Sequence, residues 1–280
     1  MKRDKFNVIL VAIFIVGLSV MLYPIVSNYW NSLTQSKAVA TYNDKVASMS
    51  KEDYDIMFKA AETYNQQLGQ IKDPLNNYNH VTGYDDCLDV SGTGIMGYIT
   101  IDKIRVELPI YHGTGAGVLQ VAAGHLQGTD LPVGGKGTHC VLSAHRGLPS
   151  ANLFTNLDEM ERGDTFRITV LNRNLTYKVD QILIVEPYEV EELQVDPNED
   201  YCTLMTCTPY GINTQRLLVR GVRTINTDWG EYVAADAVQV DTILVAVAIA
   251  IIIMFFILIA MLIWQTLIWK KEEQSKDRGE

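Results

Sequence analysis

Residues 203–216 read Thr203-Leu204-Met205-Thr206-Cys207-Thr208-Pro209-Tyr210-Gly211-Ile212-Asn213-Thr214-Gln215-Arg216. The run entering this stretch, Tyr201 to Thr206, has the composition of a β-strand and stops at Cys207. Pro209-Tyr210-Gly211 reads as a turn, and a second apolar run, Leu217-Leu218-Val219, follows Arg216. Two strands joined by a turn are expected, with a cysteine closing one and an arginine opening the other. A fixed positive charge beside a thiol favours the thiolate, and it favours the oxyanion formed when a thiolate attacks a carbonyl. Alone the pattern is weak, because most single cysteines are small buried hydrophobes. A second run of the same shape strengthens it: Cys140-Val141-Leu142-Ser143-Ala144-His145 ends in a histidine where the other ends in Cys207.

Outward from these two runs the period of two persists. Gly97–Ile101, Val106–Tyr111, Thr165–Leu171, Leu175–Val185 and Leu217–Val222 read as further strands, separated by Gly134-Gly135, Arg162-Gly163-Asp164 and Asn172-Arg173-Asn174. Many short strands with tight turns predict an all-β sandwich or barrel. One short helical insert is expected near Ala151–Met160. Towards the N-terminus, residues 31–69 read as helix with one break, at the capped start Ser50-Lys51-Glu52-Asp53. Met57, Ala61, Tyr64 and Leu68 then recur at helical spacing and are expected to pack on the main domain. Residues 70–92 have loop composition and are long for a connection, which suggests a functional loop or disorder.

The chain has 280 residues, a net charge of −10 and 48% hydrophobic residues. Residues 7–22 and 242–269 carry no charge, and each run is near the ~20 residues a membrane span needs. No small-x-small site closely follows the first, so an uncleaved anchor is expected rather than a signal peptide. Lys2, Arg3 and Lys5 precede the first span, and Lys270 and Lys271 follow the second. These flanks place both ends in the cytoplasm and the middle outside. Trp30, Trp229, Trp264 and Trp269 stand near the span ends. Residues 28–241 hold 16 Lys and Arg against 28 Asp and Glu, a net −12 with no basic stripe, which argues against a nucleic-acid partner. Of the four cysteines, Cys140 and Cys202 each lie five residues before the end of their run. In adjacent parallel strands they would be neighbours, and two buried free thiols are expected there.

The resemblance these residues carry is specific. Thr203-Leu204-Met205-Thr206-Cys207 with Arg216 resembles the Thr-Leu-x-Thr-Cys…Arg signature of sortases, cysteine transpeptidases of Gram-positive cell surfaces, and Ser143-Ala144-His145-Arg146-Gly147 resembles their histidine segment. The likeness spans roughly residues 54–226. Gly94–Ile99, Leu108–Tyr111, Gly124–Thr129 and Thr206–Tyr210 are similar to class C, the pilin-polymerising members. The resemblance implies a closed β-barrel of about eight strands, with N-terminal helices and a lid loop, flanked by two transmembrane helices. It implies that Cys207 attacks the Thr–Gly carbonyl of a Leu-Pro-x-Thr-Gly-like sorting signal. His145 protonates the leaving amine and deprotonates the incoming one, while Arg216 holds the substrate and oxyanion. No cofactor is implied, because an amine opens a thioester unaided.

The implied partners are pilin or surface-protein substrates with a C-terminal sorting signal, a lysine amine acceptor, and the membrane. Asp73-Pro74-Leu75 resembles the class C lid, an Asp-Pro-aromatic tripeptide lying over the site. It departs from the pattern at Leu75, so the covering residue is Leu75 or Tyr78, and Asp73 is expected near Arg216 or Cys207. His125 matches a family histidine that is not the catalytic one and is read as structural. No Cys-x-x-Cys or His-x-x-x-His spacing accompanies it, so no metal site is expected. The expected organisation is a cytoplasmic N-terminus (1–5), a span (6–26), a helical segment (27–69), a lid loop (70–92), the barrel (93–226), a linker (227–241), a second span (242–264) and a cytoplasmic tail (265–280). Competing readings are attachment of surface proteins to the cell-wall precursor, a cysteine protease using water, and a tethered binding module.

Overall fold

The computed structural model describes residues 2–225 and 242–277; the expected linker and Trp229 lie outside the described residues. The chain divides into two compact units, Met1–Val26 with Trp229–Glu280, and Ser27–Asp228.

Helix α1 runs unbroken over Lys2–Ala47, so the first span and the segment after it form one element. A three-residue break follows, and α2 covers Lys51–Leu68. Ser50 caps it as the sequence predicts: Asp53 N donates to Ser50 Oγ at 3.2 Å, and Ser50 N donates to Asp53 Oδ2 at 2.9 Å. Phe58, Ala61, Tyr64 and Leu68 bury one face of α2; of the expected stripe Met57 is only half-buried, and Phe58 fills the place. The loop that follows holds a four-residue helix, α3 (Pro74–Asn77), and a short 3₁₀ turn, Tyr78–His80.

The barrel then forms from β1 (Ile95–Ile101), β2 (Val106–His112), a short α4 (Ala116–Leu119), β3 (Ala123–His125), β4 (Thr138–Ser143), β5 (Thr165–Val170), β6 (Arg173–Val185), β7 (Asp200–Thr208) and β8 (Gln215–Arg223). The strands close in the order β1-β2-β3-β4-β7-β8-β6-β5. β2 with β3 and β4 with β7 are parallel pairs; every other neighbouring pair is antiparallel. Closure removes the exposed edges that an open sheet of these strands would present. Alternate residues point inward, and Ile99, Ile101, Ile110, Leu142, Leu204 and Val219 are fully buried there.

Two expectations are corrected and one strand was missed. The strand through Cys140 ends at Ser143, two residues short of His145. β3, three residues long, was not marked by any alternating run. The helical insert near Ala151–Met160 is instead a series of turns with one 3₁₀ segment, Leu157–Glu159. Arg146 and the buried Phe154 hold that stretch from within, so it needs no helix.

α5 covers Thr242–Asp277. Within α1 and α5, Val8–Ala47 and Ile249–Ile268 are long and apolar enough to cross a membrane, each with a best-window mean hydropathy of 2.7. Within their apolar stretches Val16, Val20, Phe256 and Trp264 are all exposed.

Candidate active site

Cys207 and Arg216 sit directly opposite each other on the antiparallel pair β7–β8. Opposed residues in such a pair carry Cβ atoms about 4.5–5.5 Å apart and project to the same face. The face is the outer one, because Leu204 and Thr206 point into the barrel while Met205 and Cys207, the alternate set, are half-buried. Met205 in turn opposes Leu218 on β8, so Met205, Cys207, Arg216 and Leu218 form one patch.

His145 joins this patch through the parallel pair β4–β7. Ser143 is level with Met205, and extending the register two places sets His145 level with Cys207. Two bonds carry the register past the strand end: Ala144 N donates to Met205 O at 3.2 Å, and Thr206 Oγ1 donates to Ala144 O at 2.8 Å. The main chain then turns away in a loop, 146–155, whose neck is closed by Phe154 N donating to His145 O at 3.1 Å. Arg146 clamps the same loop to the nucleophile strand, donating from Nε to Thr155 O at 3.1 Å and from Nη1 to Thr208 Oγ1 at 3.2 Å, and pairing with Asp158. Gly147 has φ +76°, and a Cβ there would lie 3.1 Å from the Tyr210 ring, so only glycine lets the two loops touch.

Arg216 has no carboxylate partner among the described residues. Nη1 donates to Asn213 O and Gln215 O, at 3.4 and 3.1 Å, within its own turn. Arg216 lines a groove of about 300 Å³ together with Leu75, Tyr78, Leu126, Val190, Met205 and Leu218, with Glu186 and Glu189 also in its wall. Leu75 and Tyr78 thus line the same groove as Arg216.

Asp73 behaves differently from expectation. Its carboxylate accepts from Asn76 Nδ2 at 2.8 Å inside its own turn, and it forms no ion pair with Arg216 among the described residues. Its backbone is left-handed, at φ +56°, a conformation aspartate tolerates better than most residues. Asn77 Nδ2 adds bonds to Lys72 O and Asp73 O, both at 3.0 Å, so the turn is held by its own asparagines. The loop rests on Gly128, where a Cβ would lie 2.7 Å from Leu75 Cα and from Pro74 O. Beyond Leu75 lies a second cavity of about 710 Å³, lined by Asp73, Asp130, His139 and Gln194 among others.

His125 is fully buried and takes Tyr84 Oη at 2.9 Å and Asp130 O at 2.8 Å, a structural position as expected. Cys140 and Cys202 face each other across β4–β7 as free thiols, and burial pushes the Cys140 thiol well up. No set of side chains that could hold a metal occurs among the described residues.

The sequence did not flag four polar residues, two buried away from the groove and two in its wall. His139 is fully buried, bonded to Gln194 O at 2.9 Å and Thr203 Oγ1 at 2.7 Å, and burial lowers its pKa. Burial also raises the Asp130 carboxyl to about 6. Glu186 and Glu189 are placed by the β6–β7 connection, whose acid-rich composition was the one visible signal.

The Sortase domain family matches residues 99–224. The chain is 29% identical over 130 residues to Sortase D of Bacillus subtilis (strain 168), and 30% identical over 128 residues to Sortase A of Streptococcus agalactiae serotype III (strain NEM316). Each match covers 45% of this chain, and they span 63% and 51% of those proteins, under two thirds of either. Among solved structures it is similar to sortase C1 from Streptococcus agalactiae, at 44% identity and a TM-score of 0.63, covering 68% of this chain and 100% of that one.

Proposed function

The chain belongs to the sortase family, and from that premise we propose that it is a pilin-polymerising cysteine transpeptidase working outside the membrane. Cys207 Sγ attacks the Thr carbonyl of a Leu-Pro-x-Thr-Gly-like signal. The Thr–Gly C–N bond breaks, and the glycine amine leaves with a proton from His145. The acyl group remains on sulfur as a thioester. A pilin lysine amine then attacks that carbon, gives a proton to His145 and displaces the thiolate, so an isopeptide bond replaces the thioester. Arg216 hydrogen-bonds the substrate and the oxyanion of both tetrahedral intermediates.

The observation that carries this reading is the pairing of Cys207 opposite Arg216 on β7–β8, with His145 two residues past the end of β4, beside the same strand β7. A nucleophile, a proton shuttle and a fixed cation are what acyl transfer through sulfur requires. The groove that Arg216 lines mixes apolar side chains such as Leu75, Val190 and Leu218 with Gln127, Glu186 and Glu189, a surface that suits an extended peptide. Loop 71–80, presenting Leu75 and Tyr78 to this groove, acts as the lid. The likeness to sortase C1 supports polymerisation over other acceptors. Two spans with basic outer flanks anchor the enzyme, with both ends cytoplasmic.

The test is to mix the full chain in detergent micelles with a sorting-signal peptide and a lysine-bearing acceptor, and to read products by mass. A Cys207-linked acyl adduct, absent from Cys207→Ala, and a peptide–lysine conjugate are expected. Hydrolysed peptide that is unaffected by added amine would make the protein a protease. Transfer to a cell-wall precursor amine in preference to the pilin lysine would make it an anchoring enzyme.

A further inference from the structure

Helix α1 meets the barrel unit along one stripe. Val39, Tyr42 and Val46 are buried at helical spacing, and Tyr42 Oη donates to Met96 O at 3.0 Å while accepting from Leu171 N at 2.7 Å. The same stripe continues towards the N-terminus as Gln35, Asn31 and Asn28. There the residue type changes from apolar to carboxamide, and the surface met changes from side chains to main chain. Gln35 Nε2 donates to Val121 O at 2.7 Å. Asn31 Nδ2 donates to Ser150 O at 2.7 Å, and Asn28 Oδ1 accepts from Asn152 N at 2.9 Å.

Ser150 and Asn152 are the outer limb of loop 146–155, whose neck is His145. That loop has little slack. Phe154 N bonds His145 O, Gly147 N bonds Thr155 Oγ1 at 3.2 Å, Arg146 ties it to Thr208, and the Phe154 ring is fully buried. A displacement of the outer limb is therefore passed to the neck rather than absorbed. We propose that Asn28 and Asn31 are positioning residues for His145: the helix holds the far side of the loop, and the loop sets the imidazole against Cys207. This rests on the transpeptidase reading for its catalytic consequence, and on the hydrogen bonds alone for its structural one.

The two asparagines play opposite roles, which makes the inference testable. Asn28 is an acceptor for an N–H, so an aspartate in its place still accepts. Asn31 is a donor to a carbonyl, so an aspartate there faces oxygen with oxygen. In the full chain in micelles, Asn28→Asp is expected to turn over the sorting-signal peptide near the wild-type rate. Asn31→Asp and Asn31→Ala are expected to lower kcat about tenfold with KM within about twofold, the pattern of a misplaced catalytic group rather than lost binding. The pH profile of kcat shifts in the Asn31 variants and not in Asn28→Asp. Hydrogen exchange, which needs no substrate, is expected to speed up at Gly147, Asn152 and Phe154 in Asn31→Asp. Equal kcat and equal exchange in Asn31→Asp and wild type overturn the inference. A wild-type chain that forms no adduct with the peptide overturns the function reading and with it the catalytic role, whatever the exchange rates show.

Discussion

At the scale of single residues, the proposed site rests on three side chains, two of which, Cys207 and Arg216, are placed by strand register. Arg216 carries a clear expectation. Its hydrogen bonds stay within its own turn, so it contributes little to the fold, and it lines the groove. Arg216→Ala should lower kcat/KM about 10²–10³-fold, the usual cost of removing an oxyanion donor. Arg216→Lys should recover only part of this, because an ammonium lacks the planar fork that can hold substrate and oxyanion together. Melting temperature should move by no more than about 2 °C in either variant, as for a surface change away from packing. Full activity in Arg216→Lys would reduce its role to a point charge. The pairing of Cys207 with Arg216 was legible because one closes a β-run and the other opens the next across a turn, whereas the strand before His145 stops at Ser143. The destination of Asp73 was not legible: whether a carboxylate meets Arg216 or Asn76 is decided by the backbone of its own turn, and that turn is left-handed at Asp73.

At the scale of elements, the barrel strands were readable from alternation, and the capped start of α2 from Ser50 and Asp53. β3 was not, because three residues carry too little pattern and its place is set by β2 and β4 on either side. The loop 71–80 yields a prediction at this scale. Leu75→Ala thins the cover over the groove, and Gly128→Ala puts a methyl where Leu75 Cα and Pro74 O already sit. Both changes should raise the rate at which a thiol reagent labels Cys207, the least buried of the four cysteines. Gly128→Ala should also cost about 1–2 kcal/mol, since its φ of +91° disfavours any Cβ. Labelling at the wild-type rate in both variants would mean the loop does not gate the thiol.

At the scale of the whole molecule, the end of the barrel away from the active site is stitched by buried polar groups. Leu131 N donates to Asn65 Oδ1 at 2.8 Å, His139 N donates to Asp130 Oδ2 at 2.8 Å, and His139 links Gln194 to Thr203. Their titrations oppose each other. His139 has a folded pKa below its usual 6.5, so the unfolded chain binds more protons there, and stability is lost as pH falls below that value. Asp130 is raised from 3.8 to about 6, so the folded chain binds more protons, and stability is lost as pH rises through that window. Asp130→Asn removes the second slope alone, so its melting temperature should fall more steeply than wild type between pH 6 and 5. Parallel curves would remove Asp130 from the balance. For the chain as a whole, the proposed topology predicts that protease added outside sealed vesicles digests the barrel and spares both termini; cleavage at either terminus would reverse it. One further consequence follows from the loop on Gly128. Its turn is fastened by Asp73, Asn76 and Asn77 to one another, so little of its shape is borrowed from the barrel beneath. Such a piece is portable: grafted as residues 71–80 onto another scaffold with a bare glycine for a seat, it should bring its own shape, and exchanging it should retune access without redesigning the host.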